Sequence, residues 1–170
     1  LFKDIEAAVE RGATGRIITS TYQNFTDIES LRSFFALQSR CSNFTCHLDY
    51  ECFHDNSYRT IGYHSKGYLF EFDDHCEVIV GSSNITRYAL LKNIEWDVVI
   101  TEEKSSTVFL EAMKEFEEKW EATHLLNTEI ISLYSNKLNF AIERWDMDYD
   151  LHTANIKPNF MQRKALKELN

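Results

Sequence analysis

His64 and Lys66 stand two residues apart, Gly81-Ser82-Ser83-Asn84 follows, and Glu95 comes after that. Imidazole is the side chain that can attack as a nucleophile or carry a proton near neutral pH. An ammonium two positions away supplies positive charge for an anionic substrate. If His64 and Lys66 lie in an extended strand, their side chains share one face. The Gly-Ser-Ser-Asn run adds hydroxyls and an amide. It follows the apolar Val78-Ile79-Val80 and opens a helical pattern over Ile85 to Lys92, so a helix N-terminus with free N–H groups is expected beside it. Glu95 could return a carboxylate to the His64 ring and fix its orientation. A cation, hydroxyls, an amide, an imidazole and a carboxylate together describe a phosphate pocket.

The elements that must position these residues follow from periodicity. Phe2, Ile5, Ala8 and Val9 recur at helical spacing before Gly12, and the β-branched run 16–22 reads as a strand. Asp27 or Thr26 caps a helix carrying Ile28, Leu31, Phe34, Phe35 and Leu37, and Phe44 to Tyr50 is a second strand. This order predicts an α/β architecture, a mixed β-sheet flanked by helices, with neighbouring parallel strands. Ile61 to His64, Lys66 to Phe72 and Cys76 to Val80 read as further strands, the last two forming a hairpin around Asp73-Asp74-His75. Trp96 to Thr101 is one more apolar strand. Ser105 or Ser106 then caps a long helix with Val108, Met113, Phe116 and Trp120 inside, and a last helix runs from about Thr128 to Trp145.

The chain has 170 residues, 44% hydrophobic and 26% charged, the composition of one globular domain. Eighteen basic against 27 acidic residues give a net charge of −9, which disfavours a module that holds nucleic acid by neutralising phosphates unaided. Seven glutamates and three lysines between 101 and 121 account for part of it, as the solvated face of the long helix. A single proline, against an average usage of about 5%, disfavours a disordered linker. No apolar run reaches transmembrane length and no secretory signal is present, so the expected location is the cytoplasm, with no membrane contact. Cys41, Cys46, Cys52 and Cys76 read as reduced buried thiols and not as a disulfide framework. Cys41, Cys46, His47, Cys52 and His54 lack a CxxC pair and read as packing, not as a zinc site.

Taken in order, His64-x-Lys66, Gly81-Ser82-Ser83-Asn84 and Glu95 resemble the His-Lys signature of the phospholipase D superfamily, H-x-K-x4-D followed by G-S-x-N and a downstream Glu. The likeness covers roughly residues 1 to 101 and looks closest to the nuclease branch with one motif per chain. It implies a phospholipase D-like fold and phosphodiester cleavage without metal or cofactor. His64, Lys66, Asn84 and Glu95 would be catalytic, and Lys66, Ser82, Ser83 and Asn84 would bind phosphate. His64 would form a phosphohistidine while a second histidine protonates the leaving oxygen. Because only one His-x-Lys occurs, the resemblance implies a homodimer. The sequence departs from the pattern at Glu71, where the family usually has Asp; strand alternation puts Glu71 on the face opposite His64, in a structural role.

Ile156-Lys157-Pro158-Asn159-Phe160-Met161-Gln162-Arg163-Lys164-Ala165-Leu166 resembles the entry to a superfamily 2 helicase core. The expected organisation is therefore a phospholipase D-like nuclease domain over 1–124, a C-terminal helical extension over 125–155 and a lead-in to a helicase domain over 156–170. The chain would be the N-terminal nuclease module of a longer helicase or restriction-type protein, cutting DNA delivered by the ATPase. Two alternatives stand beside this one. One is a phospholipid-cleaving enzyme, disfavoured because no basic amphipathic stretch faces a membrane. The other is a catalytically silent dimerisation or interaction domain that keeps the motif as architecture.

Overall fold

The computed structural model describes residues 2–22, 26–50, 63–84 and 94–148, with side chains to Leu138. Helix α1 (Phe2–Glu10) ends where Gly12 adopts φ +104, a left-handed turn that lets Gly12 and Ala13 donate back to Val9 and Ala8. Strand β1 (Gly15–Ser20) follows, then α2 (Ile28–Arg40), whose N-cap Asp27 accepts from Ser30 N, and β2 (Phe44–Asp49). β1 and β2 pair in parallel, as expected of strands joined through a helix. A two-residue strand, β6 (His124–Leu125), joins the other edge of β2 antiparallel, so this first sheet is mixed, in the order β1-β2-β6.

The hairpin expected within that sheet instead belongs to a second, antiparallel sheet of β3 (Gly67–Glu71), β4 (Cys76–Gly81) and β5 (Asp97–Glu102). The ladder opens at the Gly67 and Val80 pair, so residues 63–66 are not strand. Residues 61–62 of the strand expected there, and the helix expected over Ile85–Lys92, lie outside the described residues.

Helices cover these sheets by their apolar stripes. Val9, Leu31, Leu37, Phe44, Cys46 and Leu48 form a core, with the Phe34 ring stacked on Phe44 at 6.0 Å and Phe2 edge-on to Phe34. Helix α3 (Thr107–Glu121), capped by Ser106, spans both sheets along one stripe. Its first half puts Phe109, Ala112 and Met113 against Cys76, Val78, Leu69 and Ile100 of the second sheet. Its second half meets the first sheet. Arg16 makes two hydrogen bonds to Glu117, at 2.9 and 2.5 Å, and lies over the Phe116 and Trp120 rings, while His47 stacks on Trp120 at 3.6 Å. Trp120, expected in the core, therefore packs among ring and cation partners instead. Phe70 and Phe72 on the outer face of β3 are exposed, with the Phe72 ring stacked on His75. Glu71 pairs with Lys104 at 3.1 Å, consistent with a structural role.

Residues 125–137, which the sequence suggests begin an extension, pack with the sheet. Leu126 N donates to Cys46 O, Gln38 bridges Leu126 O and Cys46 N, and Tyr134 OH donates to Thr26 O. Helix α4 (Thr128–Asp148) continues past them. Leu1–Lys137 is one compact unit and Leu138–Asn170 a second. Among the described residues, no helix is long and apolar enough to cross a membrane, and no group of three His, Cys, Asp or Glu could hold a metal ion. Cys52 and His54 lie outside the described residues.

Two consequences are measurable. Burial pushes the Cys46 thiol up to about 12, and Cys76 is fully buried, whereas Cys41 is partly exposed. Among these three, alkylation of the folded chain should modify Cys41 first and reach Cys46 and Cys76 only on unfolding, as read by peptide mass. Gly81 closes β4 against β5. A Cβ there would fall 2.7 Å from Asp97 Cα and closer still to Asp97 Oδ1 and the Trp96 carbonyl oxygen. Gly81→Ala should therefore destabilise by about 3 kcal/mol, the upper end for overpacking, and lower Tm by roughly 6–12 °C in a calorimetric scan.

Candidate active site

Lys66 and His64 meet just before β3. Lys66 Nζ lies 2.8 Å from each His64 ring nitrogen and 3.1 Å from the His64 carbonyl oxygen, to which it donates. The two side chains thus come together as expected, although a loop and not a strand carries them. Desolvation lowers the Lys66 pKa from the ordinary lysine value, and the Glu95 carboxylate opposes that shift. Tyr22, just past the end of β1, presents its ring to His64 at 5.9 Å and 63°. The ends of the parallel pair lie together here, Thr21 N donating to Asp49 O, and the Asp49 side chain is buried. Burial raises the Tyr63 pKa, and the charges of Asp49 and Glu115 add to the shift.

The Gly-Ser-Ser-Asn turn is set by the pairing of β4 with β5. Ser82 N donates to Trp96 O and Ser82 Oγ accepts from Trp96 N, continuing the ladder past Gly81. Ser82 Oγ donates to Glu95 Oε2 at 2.5 Å, a short charge-assisted bond. Glu95, expected to reach the His64 ring, thus has a hydroxyl partner in Ser82 and acts electrostatically on Lys66.

Ser83 has a different environment from the one expected. It is buried, its Oγ donates to Asp97 Oδ2, its N donates to Asp97 Oδ1 at 3.2 Å, and its carbonyl accepts from Tyr68 OH at 2.7 Å. Both donors expected to face a phosphate are therefore committed to Asp97, and Ser83 anchors the turn. Burial, with the Asp97 charge added, raises the Tyr68 pKa and keeps the phenol protonated as a donor. Asn84, next in the chain, is exposed.

Three contributors went unrecognised in the sequence: Asp97, Tyr22 and the hydroxyl of Tyr68. Asp97 was detectable in principle, because it stands two residues after Glu95 and so shares its face in an extended segment. Tyr22 carried no such signal, since its approach to His64 depends on tertiary placement. The assembled groups offer an imidazole, a cation placed against it, a hydroxyl held by a carboxylate and an exposed amide. That set can attack a phosphorus atom and stabilise charge on its oxygens.

No curated protein matches the chain. A family model described as the PLD-like domain of cardiolipin synthase matches residues 1–120, a span that takes in His64, Lys66, the Gly-Ser-Ser-Asn turn and Glu95. With helix-flanked sheets in an α/β architecture, the chain belongs to the PLD-like domain family of the phospholipase D superfamily, whose members commonly hydrolyse phosphodiester bonds.

Proposed function

We propose that the chain is a phosphodiesterase that cleaves DNA through a phosphohistidine at a site shared by two copies, as the nuclease module of a longer helicase or restriction-type protein. The observation that carries this reading is the placement of Lys66 Nζ against both His64 ring nitrogens, beside the Ser82 and Glu95 pair. An ammonium so near the ring keeps positive charge where a phosphate must come to be attacked.

The unprotonated ring nitrogen of His64 attacks phosphorus. An N–P bond forms as the P–O bond to the leaving sugar oxygen breaks, and the imidazolium of His64 of the partner subunit gives that oxygen its proton. Water then attacks phosphorus. His64 of the partner subunit takes a proton from it, and the N–P bond breaks with its electron pair returning to the nitrogen of His64. Lys66, Ser82 and Asn84 stabilise the charge that develops on the non-bridging oxygens. Ser83 and Asp97 hold the turn that carries two of these groups. PLD-like domains often dimerise, which supports a second imidazole from a second copy.

DNA is the favoured substrate because the motif occurs once, as in the nuclease branch, and because of the likeness of residues 156–166 to a helicase entry. The charge of −9 then predicts weak capture of DNA by the module alone and dependence on the ATPase that delivers it.

The chain should cleave a labelled oligonucleotide in EDTA and leave phosphatidylcholine intact. His64→Ala should lower the cleavage rate on the order of 10⁴- to 10⁶-fold with an unchanged circular dichroism spectrum. Loss of activity in EDTA with recovery in Mg²⁺, or activity that survives His64→Ala, would contradict the mechanism. The rate should also be bell-shaped in pH, because one imidazole must be neutral to attack and its partner protonated to donate. Lys66 already titrates below an ordinary lysine, and Glu95 is the charge that opposes this shift. With that charge removed, Lys66 in Glu95→Gln should therefore lose its proton at lower pH than in wild type, as followed by NMR of the lysine side chain.

A further inference from the structure

The groups that would hold a phosphate belong to the second sheet: Ser82 follows β4, Glu95 precedes β5 and Lys66 precedes β3. His64 is exposed, in a segment that is not strand, so no ladder sets the plane of its ring. Glu95, expected to orient it, is hydrogen-bonded to Ser82. Lys66 Nζ is 2.8 Å from both ring nitrogens and therefore favours neither. Among the described residues, the ring set against His64 is that of Tyr22, at 5.9 Å and 63°, the edge-to-face geometry that aromatic pairs prefer.

Tyr22 is itself fixed from the first sheet. Its N–H donates to Ser20 Oγ at 2.9 Å, at the end of β1, and Thr21 N donates to Asp49 O at the end of β2. Thr26 Oγ1 donates to Ser20 O, and Tyr134 OH, on a buried side chain of α4, donates to Thr26 O at 3.0 Å. The backbone that carries Tyr22 is thus tied to both parallel strands and, through Thr26, to a helix.

We infer that Tyr22 is a positioning residue: its ring sets the plane of the His64 imidazole, so that the nucleophile is aligned from the first sheet on a phosphate held by the second. The inference rests on the phosphohistidine reading above and adds to it a residue outside both motifs. Attack on phosphorus needs the nitrogen lone pair to point along the line of the breaking bond, and a ring free to turn on a loop is so aligned only part of the time. Tyr22 restricts that freedom without touching substrate. A phenyl ring would serve as well as a phenol, whereas an aliphatic side chain of similar size fills the space without offering an edge-to-face partner.

Tyr22→Leu and Tyr22→Phe of the full chain test the assignment through cleavage of a labelled oligonucleotide in EDTA, proton NMR of the imidazoles and calorimetry. The His64 resonance is identified by its absence from His64→Ala. Tyr22→Leu should lower kcat by roughly 10- to 100-fold at unchanged KM and move the His64 resonance, since the ring current of Tyr22 is lost. Tyr22→Phe should restore both. Wild-type kcat in Tyr22→Leu, whatever its Tm, is the result of a merely structural role and would overturn the assignment. Tyr22→Phe as slow as Tyr22→Leu, or a raised KM at unchanged kcat, would make Tyr22 a substrate contact and overturn it as well. A chain whose His64 resonance moves in Tyr22→Leu, but which as wild type cleaves no oligonucleotide, keeps the ring contact and overturns the phosphohistidine reading, and the role in attack with it.

Discussion

The site depends on how closely β4 and β5 approach at Gly81. The register pairs Gly81 with Asp97, and the absence of a side chain at Gly81 lets the Asp97 carboxylate and the Trp96 carbonyl come in where a Cβ would stand. From that contact the rest follows. Asp97 reaches Ser83 through two donors, Trp96 trades hydrogen bonds with Ser82, and Ser82 is left beside Glu95. Tyr68 OH completes the anchor from β3. A turn of four small polar residues, which alone would sample many conformations, is held by bonds from two strands.

The second constraint is α3, which ties that sheet to the one carrying the ends of β1 and β2. Its apolar first half sits on Cys76 and Val78, and its second half holds Arg16 and His47 through Glu117, Phe116 and Trp120. The His47 pKa is lowered chiefly by desolvation, so the ring packs as a neutral side chain against Trp120. Part of the acidic excess of this helix is thereby used in an ion pair and is not simply solvated. Electrostatically the molecule is divided. Lys66 is the cation beside the imidazole, with Glu95 holding its proton, in a chain whose net charge repels the polymer it is proposed to cut.

Much of this was legible in the sequence, for reasons that differ by element. The helices and most strands followed from periodicity, and Asp27 and Ser106 act as caps because a side-chain oxygen there meets a free backbone N–H. The pairing of His64 with Lys66 was legible from spacing. The split into two sheets was not, because register between distant strands leaves no local signature, nor was the two-residue β6, too short to show a pattern. Ser82 and Ser83 looked equivalent, yet one is exposed on Glu95 and the other buried on Asp97. Only the tertiary approach of β5 distinguishes them. The run Trp96 to Thr101 forms a strand as its composition indicates, yet only part of it is covered: Ile100 packs against α3 while Trp96, Val98 and Val99 stay exposed.

The most direct test of the central claim is a chemical one. A short DNA duplex is mixed with the chain in EDTA, the reaction is quenched in denaturant during turnover, and the protein is mapped by mass spectrometry under conditions that preserve phosphoramidate bonds. The account predicts a DNA adduct on the peptide containing His64, acid-labile and absent from His64→Ala. Turnover that leaves no adduct on His64, or an adduct on a different residue, would contradict it.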